Sequence, residues 1–167
     1  AGADIINDVW GLQKDLNMAA VAASFDVPVI AMHNQENTHY DGDILQSMWI
    51  FFDQTLKLAD LAGLKRSRLI LDPGIGFGKT PDDNLAVLNR LSEIVAWGFP
   101  VLLGTSRKST IGKVLDLPAD QRVEGTLATT VLGVKDGVKI VRVHDVLENS
   151  RAIAMTQAIV KGIVPWR

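Results

Sequence analysis

Five short apolar runs punctuate the chain, at residues 3–7, 27–32, 68–72, 99–104 and 139–143. Each is a continuous stretch dominated by Val, Ile and Leu, the pattern of parallel strands covered on both faces. Between them apolar positions recur every three or four residues. Asp15 is placed to cap a helix over 16–25, and Ile44, Met48, Phe51, Thr55, Leu58 and Ala62 stripe a second that stops at Gly63. A third opens on Pro81-Asp82-Asp83, a proline and two acids suited to a first turn, and carries Leu85, Leu88, Leu91 and Val95 to a stop at Gly98. Two more are predicted over 119–136 and 145–161. Strand and helix therefore alternate five times. This α/β ladder of parallel βα units fits either a doubly wound open sheet or part of a (β/α)8 barrel. No linker or low-complexity tract divides it, so one domain is expected over 1–167.

Polar residues recur where the apolar runs end. Residues 69–80 read Leu-Ile-Leu-Asp-Pro-Gly-Ile-Gly-Phe-Gly-Lys-Thr, residues 102–109 Leu-Leu-Gly-Thr-Ser-Arg-Lys-Ser, and residues 140–145 Ile-Val-Arg-Val-His-Asp. Parallel strands lying side by side would bring Asp72, Lys108, Arg142 and His144 to one face, where both sheet architectures bind ligands. The glycine-rich stretch is not a Walker A loop, because only three residues separate Gly74 from Gly78. It is not a dinucleotide fingerprint either, because Lys79 stands where the third glycine belongs. What is left is an acid at a strand end and a loop open to close ligand approach. The plainer alternative is a turn in which Asp72 bonds only loop amides.

Thr105-Ser106-Arg107-Lys108-Ser109 offers hydroxyls and two cations, suited to an anionic or strongly polar ligand. Arg142 and His144 are two apart on one predicted strand and point the same way; a phosphate or diphosphate would account for them, as would an ion network with Asp145 or Glu148. Asn7 offers a donor and an acceptor to a heterocycle. His33 and His39, six apart in a polar loop, do not have a metal-ligand spacing, and no metal-ligating residues are assigned. Trp49, Phe51 and Phe52 read as packing.

The 167 residues are 47% hydrophobic and 22% charged, with net charge −2, which gives no electrostatic reason to expect a nucleic acid or an anionic membrane as partner. No apolar run approaches the roughly 18 residues of a membrane span. Without cysteine there are no disulfides and no thiolate metal sites. A cytoplasmic location is the expectation. The chain opens on Ala1-Gly2-Ala3-Asp4 and enters an apolar run at once, as though it began partway through something longer.

Taken together, Asp72-Pro-Gly-Ile-Gly-Phe-Gly-Lys79, Gly104-Thr-Ser-Arg-Lys-Ser109 and Arg142-Val-His-Asp145 resemble the dihydropteroate synthase family. Ile6-Asn7-Asp8, Met32-His33-Asn34 and Arg122-Val-Glu-Gly-Thr126 extend the resemblance to essentially the whole chain. It implies a TIM (β/α)8 barrel with the first three βα units missing. The implied activity is condensation of 6-hydroxymethyl-7,8-dihydropterin diphosphate with p-aminobenzoate in folate biosynthesis, a step inhibited by sulfonamides. By this resemblance Asn7 and Asp72 bind the pterin, Met32 and Phe77 wall it, and Lys108 bridges the two substrates. Arg107 and Ser109 lie near p-aminobenzoate, and Arg142 and His144 hold the diphosphate. Lys108, Asp72, Arg142 and His144 are the implied catalytic set, with Mg²⁺ at the diphosphate and a homodimer as the assembly. Lacking three units, the chain alone is expected to have negligible synthase activity and two open sheet edges. A pterin-binding methyltransferase domain and a non-catalytic half-barrel are the alternative readings.

Overall fold

The computed structural model describes residues 2–162. Its strands are β1 (Ile6–Asp8), β2 (Val29–Met32), β3 (Leu69–Asp72), β4 (Leu102–Leu103) and β5 (Ile140–Val141). All pair in parallel, β1 with β2, β2 with β3 and β4 with β5, while a single bridge from Leu71 to Val101 joins the two groups. Spatial order thus follows chain order throughout. A doubly wound sheet reverses its strand order at a switch point. The unreversed order is that of a barrel wall, and it decides between the two architectures that the apolar runs left open.

The strands are shorter than the runs that predict them. Pro100 has no N–H to give a ladder, and the run at 99–104 pairs as a strand only at its last two apolar residues. Covering on both faces holds for β2, β3 and β4, which are almost wholly buried, but fails for β1 and for Ile140 of β5. These two strands end the sheet, so each has a neighbour on one side only among the described residues.

The helices are α1 (Met18–Phe25), α2 (Ile44–Leu61), α3 (Pro81–Asn89), α4 (Leu91–Val95), α5 (Ser109–Leu115), α6 (Val123–Asp136) and α7 (Val146–Lys161). Asp15 does not cap α1. Its carboxylate accepts from Asn17 N–H at 2.9 Å, a turn before the helix, and Asn17 stands at the cap position without a side-chain bond. On α2 the buried stripe is Ile44, Leu45, Met48, Phe52, Thr55, Leu56 and Ala59, so the packed face lies one residue away from Phe51, Leu58 and Ala62. The helix expected from Pro81 to Gly98 breaks at Arg90, whose guanidinium bonds both Asp43, the cap of α2, and Glu93.

Two apolar clusters carry the packing. Met48 and Phe52 of α2 meet Leu71, Leu103, Val87, Leu91 and Ile94; Leu12, Ala22, Val29, Leu56 and Leu69 form the other. Each fully buried large side chain is worth about 1.5–3 kcal/mol. This layer of helix against sheet holds the strand C-termini, and with them the polar residues, on a common face.

Candidate active site

Asp72 ends β3 and is only 1% exposed. One carboxylate oxygen accepts from Gly74 N–H at 2.8 Å, and the other from Arg142 Nη2 at 2.9 Å. Asp72 thus bonds a loop amide, as the plainer reading expects, but not loop amides alone, because Arg142 takes its second oxygen. Arg142 also donates from Nη1 to Asn7 Oδ1 at 3.1 Å, tying the ends of β1, β3 and β5 together across 135 residues of chain.

The loop after Asp72 is shaped by its glycines. Gly74 has φ +66, and a Cβ there would overlap the His33 carbonyl oxygen. Lys79 closes the loop. The residue is 7% exposed, and its ammonium donates to Gly74 O and Phe77 O, both at 3.1 Å, and to His33 Nδ1 at 2.8 Å. Three acceptors match its three protons. Burial, opposed by Asp72 and reinforced by the Lys108 charge, lowers its pKa to about 7. Burial and the Lys79 charge depress His33 to about 3, so the imidazole is a neutral acceptor.

Phe77 projects from this loop, and Lys108 Nζ lies 4.4 Å from its ring centroid, a cation–π contact. The same amine donates to Ile75 O. Burial lowers Lys108 to about 8, against the opposing pull of Asp72 and with help from Arg142. Nearby, Ser106 Oγ accepts from His144 N–H at 3.1 Å and meets His144 Nδ1 at 2.8 Å. Gly104, Ser106, Lys108, Arg142, Val143 and His144 line a cavity of about 200 Å³. Two cations, an imidazole and a hydroxyl surround this one small space, a lining whose chemistry suits an anion.

A family model described as pterin binding enzyme matches residues 1–144. The chain belongs to the pterin-binding enzymes. It is 52% identical over 162 residues to the dihydropteroate synthase of Clostridium beijerinckii, covering 96% of this chain and 60% of that protein. Against the Bacillus subtilis dihydropteroate synthase it is 50% identical, over 95% of this chain and 55% of the relative. Among solved structures, a Clostridium difficile dihydropteroate synthase crystallised in the presence of pteroic acid superimposes with TM-score 0.93 at 54% identity, over 95% of this chain and 60% of that one. A Yersinia pestis dihydropteroate synthase in complex with a sulfonamide drug gives 0.91 at 36%, over 97% and 61%. The chain thus spans about 60% of the length of the relatives it matches, and these structural neighbours place it as part of a TIM barrel.

In this chain the sequence-assigned residues divide into two groups. Lys108, Arg142 and His144 share the cavity, and Asp72 and Asn7 join it through Arg142. Phe77 is half exposed over Lys108. Met32 is instead buried beneath Gly74. Arg107 turns away to pair with Asp145 at 2.6 Å, the partner expected for Arg142 or His144. Ser109 is exposed at the start of α5 and does not line the cavity. Sequence reasoning counted Ser106 only among the hydroxyls of residues 105–109 and gave no role to Lys79. Ser106 carried a signal, since it stands two residues before Lys108 at the same strand end. Lys79 carried none, because its partner His33 is 46 residues away.

Proposed function

We propose that this chain is the diphosphate- and pterin-holding part of a dihydropteroate synthase. The reaction joins 6-hydroxymethyl-7,8-dihydropterin diphosphate to p-aminobenzoate and releases diphosphate and 7,8-dihydropteroate. The observation that carries the reading is the Arg142 guanidinium. It neutralises buried Asp72 while lining an anion-sized cavity with Lys108 and His144. When the diphosphate draws Arg142 toward the cavity, the Asp72 carboxylate is freed to accept the adjacent N–H donors of the pterin ring, beside Asn7. The swap keeps every buried charge paired.

The chemistry follows from that arrangement. The C–O bond from the pterin methylene to the diphosphate breaks and the leaving oxygen takes the electron pair. Arg142, Lys108 and the His144 imidazole stabilise the charge that grows there. The arylamine nitrogen then bonds the methylene carbon and loses a proton to solvent or to the departing diphosphate. Orientation and charge neutralisation suffice, so no nucleophilic side chain is needed. Lys108, held over Phe77, is placed to touch both substrates. The pteroic acid present with one relative and the sulfonamide complex of another agree with this choice of ligands, as do the relatives' names at about half identity, which favours the synthase over a methyltransferase.

Magnesium, implied by the family resemblance, belongs to the same proposal as an ion carried on the diphosphate; among the described residues no group of three His, Cys, Asp or Glu is gathered that could hold it without the substrate. No step is assigned to the ion. A homodimer, a cytoplasmic location and sensitivity to sulfonamides belong to the same proposal. No helix of the described residues is long and apolar enough to cross a membrane.

Calorimetric titration of the chain with the pterin diphosphate, beside Lys108→Ala, tests the reading. Binding that weakens by about tenfold or more in the variant is expected, the loss of one charged contact at about 1.4 kcal/mol or more. A folded chain that takes up no pterin diphosphate rejects the assignment. Methyl transfer from methyltetrahydrofolate to a corrinoid would replace it with the methyltransferase.

A further inference from the structure

Lys108 is held by a loop that does not hold itself. Arg107, just before it, has φ +59, a left-handed conformation that costs a non-glycine residue free energy and persists only when its surroundings impose it. The surroundings come from the start of α6. Arg122 Nη1 donates to Arg107 O at 2.9 Å and to Lys108 O at 3.3 Å, and its Nε donates to Leu117 O at 2.9 Å. One turn on, buried Thr126 accepts from Arg107 N–H at 3.1 Å and returns its own proton to Arg122 O at 2.9 Å. The guanidinium rests against Gly112 of α5, where any Cβ would overlap it. Gly112 lies inside a helix with an ordinary backbone, so an alanine there would otherwise favour the helix; the arginine is what the glycine accommodates.

We propose that Arg122 is a positioning residue for Lys108: seated on Gly112 and bonded to the carbonyls of Arg107, Lys108 and Leu117, it fixes the loop that aims the lysine at the cavity. Three carbonyls on three residues suit the planar, multi-donor fork of a guanidinium. An ammonium at the end of a flexible stem cannot span them. Arg122 does not line the cavity; it acts through the backbone of residues 107–108. The substrate-binding role of Lys108 on which this inference rests is the one proposed above.

The variants are Arg122→Lys and Gly112→Ala in the 167-residue chain. The first keeps the charge and loses the fork. The second keeps the arginine and removes its seat. Each is checked for folding by circular dichroism. Lys108 is then titrated by NMR in protein carrying ¹³C-labelled lysine, with Lys108→Arg assigning the signal. In the native chain Lys108 faces Asp72, Arg142, the Phe77 ring and Ile75 O, and its midpoint lies at about 8. Released from that seat it gains water, and its midpoint is expected to rise by about one pH unit or more toward 10.5 in both variants. A purely structural Arg122 would lower thermal stability and leave the Lys108 titration as it was. An unchanged midpoint in either folded variant overturns the proposal. Pterin diphosphate binding is measured on the same samples. Its absence from the native chain counts against the synthase reading, while the titration still decides the role of Arg122.

Discussion

The buried polar residues of this chain are arranged so that each charge has a stated partner, and their titration follows from that. His33 is 2% exposed and accepts from Lys79, and burial together with that cation holds its pKa near 3 against an ordinary 6.5. Between these values the unfolded chain binds the proton and the folded chain does not, so stability falls as pH drops from 6.5 toward 3. The slope from this one group approaches about 1.4 kcal/mol per pH unit. Urea unfolding of the chain and of His33→Asn at several pH values in this window measures it. The variant is expected to be less stable at neutral pH and to show a shallower slope, and equal slopes would remove His33 from the acid response. Lys79 acts in the opposite part of the scale. Its folded pKa near 7 lies below its ordinary 10.5, so stability rises with pH between them, where the unfolded chain still holds the proton that the folded chain has shed.

The elements are punctuated by side chains that also hold the site. Thr80 caps α3 and shares a reciprocal capping box with Asp83: its hydroxyl accepts from Asp83 N–H at 3.1 Å, and Asp83 accepts from Thr80 N–H at 2.9 Å. Just inside that helix, Asn84 accepts from Gly76 N–H at 2.7 Å, linking the helix start to the loop that carries Phe77. Thr80→Ala is therefore expected to cost about 1 kcal/mol, the usual worth of an N-cap. Thermal or urea unfolding reads that loss, and a stability within about 0.3 kcal/mol of the native chain would show that the box contributes nothing here. The sequence announced this helix start through Pro81 and the two acids. It did not announce the break at Arg90, whose side chain pairs with Asp43, 47 residues earlier.

On the scale of the whole molecule, the five strands form a wall with two ends. β1 and β5 each have a neighbour on one side only among the described residues, and Ile140 of β5 is 36% exposed. Between them opens an apolar cleft of about 560 Å³ lined by Ile30, Leu102, Ile140, Val141, Val146 and Ile153, with Asn7 and Arg142 at its rim. Unpaired edges beside an apolar cleft favour strand addition from another molecule. The 167-residue chain by itself is expected to self-associate with rising concentration in sedimentation velocity. Ile140→Lys, a charge on the edge, is expected to suppress this without altering helix content. Self-association unchanged by the lysine would point to a helix surface instead, and a monomer at all concentrations would dispose of the edge argument.

Much of this molecule was legible before any coordinates. The apolar runs fix five strands because burial between helix layers demands continuous Val, Ile and Leu, and that demand is local. The glycine-rich turn, the proline start of α3 and the cluster of strand-end polar residues are equally local, so Asp72, Lys108, Arg142 and His144 could be named from the chain alone. Only the tertiary structure decided that strand order follows chain order, which separates barrel from doubly wound sheet. Only it turned Arg107 away to Asp145, buried Met32 under Gly74, and seated Lys79 against His33 and Arg122 against Gly112. Those outcomes depend on distances between residues far apart in sequence. The energy of a buried charge is set by whichever partner the fold brings within about 3 Å, and no local pattern names that partner.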